Sequence, residues 1–340
     1  MTIEEDRSFM RLALDQARKS YSSNEVPIGA VIVLNKTVIG SGHNKVIEQN
    51  DVSSHAEINA INSVKIKSQL KESTLYVTLE PCSHHGKTPP CTNEIIKNKI
   101  PRVIIGTLDP HTEVSGKGIK QLEEAGIEVV LGVLENKCKD HHKRFLTFIN
   151  KKRPYIILKW AETNDGFIAP KTKNKIKPVW ISNRHSRQLV HKWRSEEQCL
   201  IVGRKTISED NPKLTTRDWD GRDPIVVIIS KDNNLNNNSN IFNSKAEKII
   251  ISNELIDFKK PIGNQITNLL YNRNIISAIV EGGVQTLQTF INENLWDEIR
   301  KFKSPLNFKN GTKAPIVNIN PRNKTLIVQD KLLVIYNNNY

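Results

Sequence analysis

Long apolar runs and cysteines are both scarce in this chain of 340 residues. No stretch of 18 consecutive apolar residues exists, so no membrane-spanning helix is expected. The opening MTIEEDRSFMRLALDQARKS is charged and amphipathic and lacks the apolar centre of a signal peptide, which makes the cytoplasm the expected compartment. Of four cysteines, Cys138 and Cys199 lie far apart and read as reduced thiols, so no disulfide framework is expected. Acidic residues are also outnumbered, 36 against 50 Lys and Arg, for a net charge of +14. Such an excess gives affinity for phosphates. The lysines are nevertheless scattered among many Asn and Ile, as in NNLNNNSN (233–240), which is a bias of the whole chain and points away from a nucleic-acid surface.

What is present is a globular composition, 37% hydrophobic and 25% charged, in a chain too long for one domain of about 100–200 residues. The first segment reads as helix 8–20, strands 28–34 and 37–41, helix 55–65, strand 74–79, helix 92–98, strand 102–106, helix 117–125 and strand 127–132. Short β-branched runs alternating with amphipathic helices predict a three-layer α/β/α sandwich. The basic, proline-containing stretch from Asn150 to Pro154 then marks a domain boundary, giving domains 1–149 and 150–340. The second segment is again α/β, with strands at 155–160, 199–203, 225–229, 248–252 and 276–280 and helices around 183–195 and 284–293. Residues 231–245, rich in Asn, read as a solvated loop, and no internal repeat relates the halves.

The chemistry concentrates at His55, Ala56 and Glu57, answered by Pro81, Cys82 and Cys91. One imidazole and two thiolates are three zinc ligands, which leaves a fourth coordination position for water. Hydrolytic deamination needs that water deprotonated near neutral pH and a carboxylate, itself not a ligand, to carry the proton to the leaving nitrogen. Glu57 is placed for that duty. Zinc nucleobase deaminases carry HxE followed by PCxxC; here the first half is intact, but Cys82 and Cys91 enclose eight residues, Ser83 to Pro90. Taken singly, a histidine at a helix start or a cysteine is ordinarily structural. Their conjunction, after a β-rich run and at helix starts, is what makes a metal site.

The run LEPCSHHGKTPPC (79–91), with GTLDPHTEVSGKGIKQLEEAGIEV (106–129), closely resembles the deaminase half of the bifunctional riboflavin biosynthesis deaminase/reductase family. KWAETNDGFIA (159–169), residues 180–217 and IVEGGVQTLQTFINENLWDE (279–298) resemble its reductase half. The resemblance spans roughly residues 5–320. It implies a cytidine-deaminase-like domain followed by a dihydrofolate-reductase-like α/β domain, with Zn2+ and NADPH as cofactors. It also implies a phosphoribosylated pyrimidine as substrate and a homo-oligomeric assembly. By position it assigns zinc to His55, Cys82 and Cys91, the proton shuttle to Glu57, and substrate contacts to His84, Lys87, Thr88 and Asp109. In the second half it assigns the cofactor side to Ala161, Trp180, Thr206, Asp210, Gly282 and Gly283, and the substrate side to Arg194, Leu214, Arg217 and Glu281. Independently, EGG after a buried strand can bring the amides of a helix start against a phosphate, and arginines bracketing the Asp210–Pro212 turn can clamp one bidentately. No acid or base for the reduction is nominated.

Three features depart from the family. Glu25 replaces an asparagine in NEVPIG, GHN is separated from HAE by a longer stretch of ten residues (Lys45 to Ser54), and His111 stands where asparagine is usual. The stretch from NEVPIG to HAEINAI is similar instead to tRNA adenosine and guanine deaminases, in which the asparagine matching Asn44 contacts the base. The alternative reading is therefore a deaminase of that type fused to a reductase.

Overall fold

Six consecutive apolar or small residues, GAVIVL, form β1 (Gly29–Leu34), the inner strand around which the first half is built. The structure, a computed structural model, describes residues 2–20, 25–83, 89–111, 115–173 and 176–337; the chain divides into two units, Met1–Lys151 and Lys152–Tyr340. In the first, β1 pairs antiparallel with β2 (Thr37–His43) and β3 (Thr74–Val77). β4 (Arg102–Ile105) and β5 (Glu128–Leu131) extend the sheet in parallel, in the order β2-β1-β3-β4-β5. The tight β1–β2 turn places Asn35 and Lys36 at positive φ, the conformation a two-residue hairpin loop requires.

Helices cover both faces, as the three-layer expectation required. On one, α1 (Ile3–Lys19) and α5 (Glu135–Lys151) bring Met10, Ala13, Leu14 and Cys138 against Val31, Val33, Tyr76 and Ile104. On the other, α2 (Ala56–Ser63), α3 (Cys91–Lys97) and α4 (Lys117–Glu124) press Ala60, Ile95 and Leu122 onto Ile32, Leu75, Val77 and Val103. Helix α1 starts five residues before the predicted 8, because Thr2 and Glu5 form a reciprocal capping box. Helix α5 is not anticipated at all: the residues it buries include Cys138, His142, Arg144 and Thr147, which leave no clear apolar stripe. Gly42 of β2 lets α2 lie directly on the sheet, since a Cβ there would strike the Ala56 carbonyl and Ala60 amide. That contact fixes the start of α2, where the metal-site histidine stands.

The second unit holds an eight-stranded sheet. β6 (Tyr155–Glu162) alternates Tyr155 and Ile157 toward one core with Ile156, Leu158 and Trp160 toward the other. Six strands run parallel: β10 (Lys248–Ile251), β9 (Ile225–Ile229), β8 (Cys199–Gly203), β11 (Ser277–Val280), β6 and β12 (Glu298–Lys303). β15 (Asp330–Tyr336) then pairs antiparallel with β12, and β14 (Asn323–Ile327) with β15. Helices α6 (Arg184–Glu196) and α7 (Arg204–Asp210) cover one face through Val190, Trp193 and Ile207; α8 (Ile262–Asn272) and α9 (Val284–Asn292) cover the other through Ile266, Leu270, Leu287 and Phe290. A separate ribbon pairs β7 (Phe167–Pro170) with β13 (Gly311–Lys313). The Asn-rich tract is not wholly a solvated loop. A short 3-10 turn, Asn240–Asn243, buries Ile241 completely, and Asn240 donates through its backbone and side-chain nitrogens to Asn211.

Candidate active sites

His55 is the N-cap residue of α2, Glu57 lies in that helix's first turn, Cys82 follows β3, and Cys91 opens α3. One ligand atom from each of His55, Cys82 and Cys91 lies within 4.8 Å of the others. His55 Nδ1 is 3.2 Å from Cys91 Sγ and 3.7 Å from Cys82 Sγ. Zinc–nitrogen and zinc–sulfur bonds of about 2.0 and 2.3 Å at tetrahedral angles put such atoms about 3.5 Å apart, so the donor set fits the ion as it stands. The Cys91 N–H donates to Cys82 Sγ at 3.2 Å. Hydrogen bonding from Cys91, then from His55, draws the Cys82 thiol down to about 4, against the opposing effect of burial. Cys91, facing that thiolate and buried, is pushed up. One proton retained between two thiols is what a divalent cation would displace. Burial, followed by the neighbouring Cys82, raises the Glu57 carboxyl to about 7.

The departures before His55 have a geometric resolution. The Lys45 N–H donates to the Ser54 carbonyl at 2.9 Å, so the ten-residue stretch closes at its base, and residues 47–52 within it are exposed. Asn44 and α2 therefore stay together, and Asn44 Oδ1 accepts the Ala56 N–H at 2.9 Å. Glu25, only 3% exposed, accepts the N–H groups of Ile47 and Glu48 at 2.6 and 3.0 Å and anchors the longer loop. His111 is exposed and donates its N–H to Asp109 Oδ1 at 2.8 Å. Among the other expected substrate residues, His84, Lys87 and Thr88 lie outside the described residues.

In the second unit a cavity of about 750 Å³ opens beside the carboxyl ends of β6, β8, β9 and β11, the usual ligand position on a parallel sheet. Ala161, Trp180, Thr206, Asp210 and Gly283 line it, as do Arg194, Arg217 and Glu281. Gly282 packs beneath the rim, where a Cβ would meet Val202 and Thr206. Gly283, at φ +57, turns the chain into α9, whose first residues Val284, Gln285 and Thr286 face the space. This glycine cradle beside a helix start, with the cations Arg204 and Lys205 on the wall, suits the phosphates of a dinucleotide. Trp180, 53% exposed, lies under the Arg187 guanidinium at 4.7 Å, and Asp210 pairs with Lys173.

Two expectations change here. Leu214 is buried in the core with Trp193 and Ile207 rather than on the cavity wall. Arg194 lines the cavity but is largely committed: Nε and Nη2 both bond the Glu281 carboxylate at 2.7 Å and Nη1 donates to the Thr215 carbonyl, which leaves one N–H on each terminal nitrogen. Arg217 is exposed and has no hydrogen-bonding partner among the described residues. Burial would raise the Glu281 carboxyl, but Arg194 and Lys159 hold it down at about 2. Lys159, 3.6 Å from Glu281 and itself lowered by burial, lines the cavity and was missed by sequence reasoning. The signal was a lysine inside the otherwise apolar strand PYIILKWA.

Comparison with known proteins falls on the same two halves. Residues 3–107 match the cytidine and deoxycytidylate deaminase zinc-binding region, and residues 154–314 match the RibD C-terminal domain. The riboflavin biosynthesis protein RibD of Aquifex aeolicus is 35% identical over 97% of this chain and 96% of that protein. That of Bacillus amyloliquefaciens is 33% identical over 90% and 86%. The crystal structure of the Thermotoga maritima diaminohydroxyphosphoribosylaminopyrimidine deaminase/5-amino-6-(5-phosphoribosylamino)uracil reductase superposes with a TM-score of 0.87 at 32% identity, covering 98% of this chain and 99% of that one.

Proposed function

Since this chain belongs to the RibD family of bifunctional riboflavin biosynthesis enzymes, a zinc deaminase joined to an NADPH-dependent reductase, we propose a division of labour between its two units. Met1–Lys151 replaces the 2-amino group of 2,5-diamino-6-(5-phosphoribosylamino)pyrimidin-4(3H)-one with oxygen. Lys152–Tyr340 then reduces the ribosyl group to a ribityl chain, giving 5-amino-6-(5-phosphoribitylamino)uracil. The observation that carries this reading is the three-ligand cluster with a buried carboxyl, not itself a ligand, in the same helical turn.

In the deaminase His55, Cys82 and Cys91 hold zinc, which when bound supplies Lewis acidity toward water. Glu57 takes a proton from that water and delivers it to the departing amine, so that water enters and ammonia leaves. Buried and beside the site without being a ligand, the Glu57 carboxyl can both accept and return a proton. Asn44, its Oδ1 committed to Ala56, keeps its amide N–H groups for the pyrimidine. Asp109 contacts the substrate as well, and His84, Lys87 and Thr88 are assigned to it on resemblance alone.

In the reductase NADPH, when bound, would supply the hydride that reduces the opened sugar. Ala161, Trp180, Thr206, Asp210 and the Gly282–Gly283 turn border the cofactor. Glu281, kept ionised by Arg194 and Lys159, accepts hydrogen bonds from sugar hydroxyls, and Arg217 pairs with the phosphate. Leu214 supports Trp193 and the wall from the core. We further propose a cytoplasmic homo-oligomer without nucleic-acid partners, the assembly alone being carried by the family resemblance; light scattering of the purified protein tests it.

A coupled assay tests the whole. With the diaminopyrimidine ribotide and NADPH, protein stripped of zinc should leave NADPH unoxidised, yet oxidise it once the deaminated ribotide is supplied. NADPH oxidation with the unprocessed ribotide by zinc-free protein would overturn the order of steps.

A further inference from the structure

Glu80 lies between β3 and Cys82 and is 3% exposed. Its own N–H donates to the Thr107 carbonyl at 2.9 Å. Its carboxylate accepts four backbone N–H groups from the far side of β4: Oε2 from Asp109 at 3.2 Å and Gly116 at 3.0 Å, and Oε1 from Gly118 at 3.0 Å and Ile119 at 3.4 Å. Burying a carboxylate is unfavourable unless donors compensate it, and here the donors all come from one segment. Helix α4 has Gly116 at its N-cap, with no side chain to satisfy its first amides; Glu80 supplies that cap from 38 residues away. Gly118 permits the approach, because a Cβ there would run into the Pro81 carbonyl and the Glu80 side chain. Asp109, meanwhile, orients its own side chain by accepting the His111 N–H at 2.8 Å. The local turn sets how Asp109 points; Glu80 sets where the turn sits.

We propose that Glu80, two residues before Cys82, is a positioning residue of the deaminase, holding the backbone around Asp109 at a fixed place and so setting affinity for the pyrimidine ribotide. The inference rests on the reading above that Asp109 contacts the substrate. Glu80→Gln keeps the size but turns one acceptor oxygen into a donor facing N–H groups. The variant should retain about one zinc per chain and raise the deaminase KM on the order of tenfold or more, with a much smaller change in kcat. Glu80→Asp, which keeps the charge and both acceptors, should recover part of that affinity. Because Glu80 acts through Asp109, the Glu80→Gln/Asp109→Ala double variant should have the KM of Asp109→Ala alone.

Additive effects in the double variant would overturn the proposal, as would an unchanged KM in Glu80→Gln beside a raised one in Asp109→Ala. Loss of zinc or failure to fold in both Glu80 variants would overturn it too, by assigning the carboxylate to the metal site or the fold. An unchanged KM in Asp109→Ala removes the premise instead, a failure distinguishable from that of Glu80 itself.

Discussion

The two centres of this chain are built in opposite ways. The zinc centre is made of short local pieces: a histidine and glutamate two apart at one helix start, and two cysteines around a second. The reductase cavity has no comparable core. Its walls come from the ends of four strands and the faces of several helices, and its central ion pair joins residues 87 apart in sequence. A site with few chemically indispensable groups should lose everything when one is changed. A site made by assembly should lose stability and affinity before it loses chemistry.

Glu57→Gln is the sharpest test of the first half of that contrast. It should lower deamination about a hundred- to ten-thousandfold, retain zinc, and leave reduction of the deaminated ribotide untouched. Near-normal turnover would show that another group moves the proton. For the assembled site, Glu281→Gln leaves Arg194 and Lys159 buried without their carboxylate, and should destabilise the second unit by about 3–5 kcal/mol. Urea unfolding followed by Trp fluorescence would read this, and a stable variant that has only lost turnover would give the second centre the same character as the first.

The pH dependence separates the units further. In the first, burial keeps His142 neutral, lowering it to about 3 from the ordinary 6.5, while Nε2 donates to the Thr78 carbonyl. The unfolded chain takes up that proton as pH falls below 6.5 and the folded unit does not until about 3, so stability present at neutral pH is lost on acidification. Between pH 7 and 5 this amounts to about 2 kcal/mol. His142→Gln should flatten that slope, and an unchanged slope in chemical unfolding would assign it to other groups. In the second, Glu281 works over a lower window: its contribution is full above 4.5 and falls as pH drops through about 2. The smallest effect is expected from Arg217→Ala, about a tenfold rise in the reductase KM with little change in kcat. No rise would remove Arg217 from the phosphate.

The same contrast governs what could be read in advance. The strands β1 to β6 and β8 to β11 were legible because most are near-continuous apolar runs, as in IILKWA and SAIVEGG, whereas β7 and β12 to β15 were not. Helix α5 escaped because it buries histidine and arginine, and β12 because it reads EIRKFK yet buries Glu298 and Arg300 between neighbouring strands. The ten residues before His55 looked like a disturbance of the site. In three dimensions the Lys45–Ser54 bond closes them off and Glu25 holds them.

The zinc ligands could be read from the chain alone, because His55 and Cys91 sit at helix starts and Cys82 follows a strand, where short spacing fixes which way a side chain faces. The partners of the buried carboxylates were set by long-range packing. Glu80 caps a helix whose own start is glycine, Glu25 anchors a loop, and Glu281 neutralises an arginine and a lysine. A buried carboxylate must find donors somewhere, and which donors it finds depends on how distant segments pack rather than on the residues beside it.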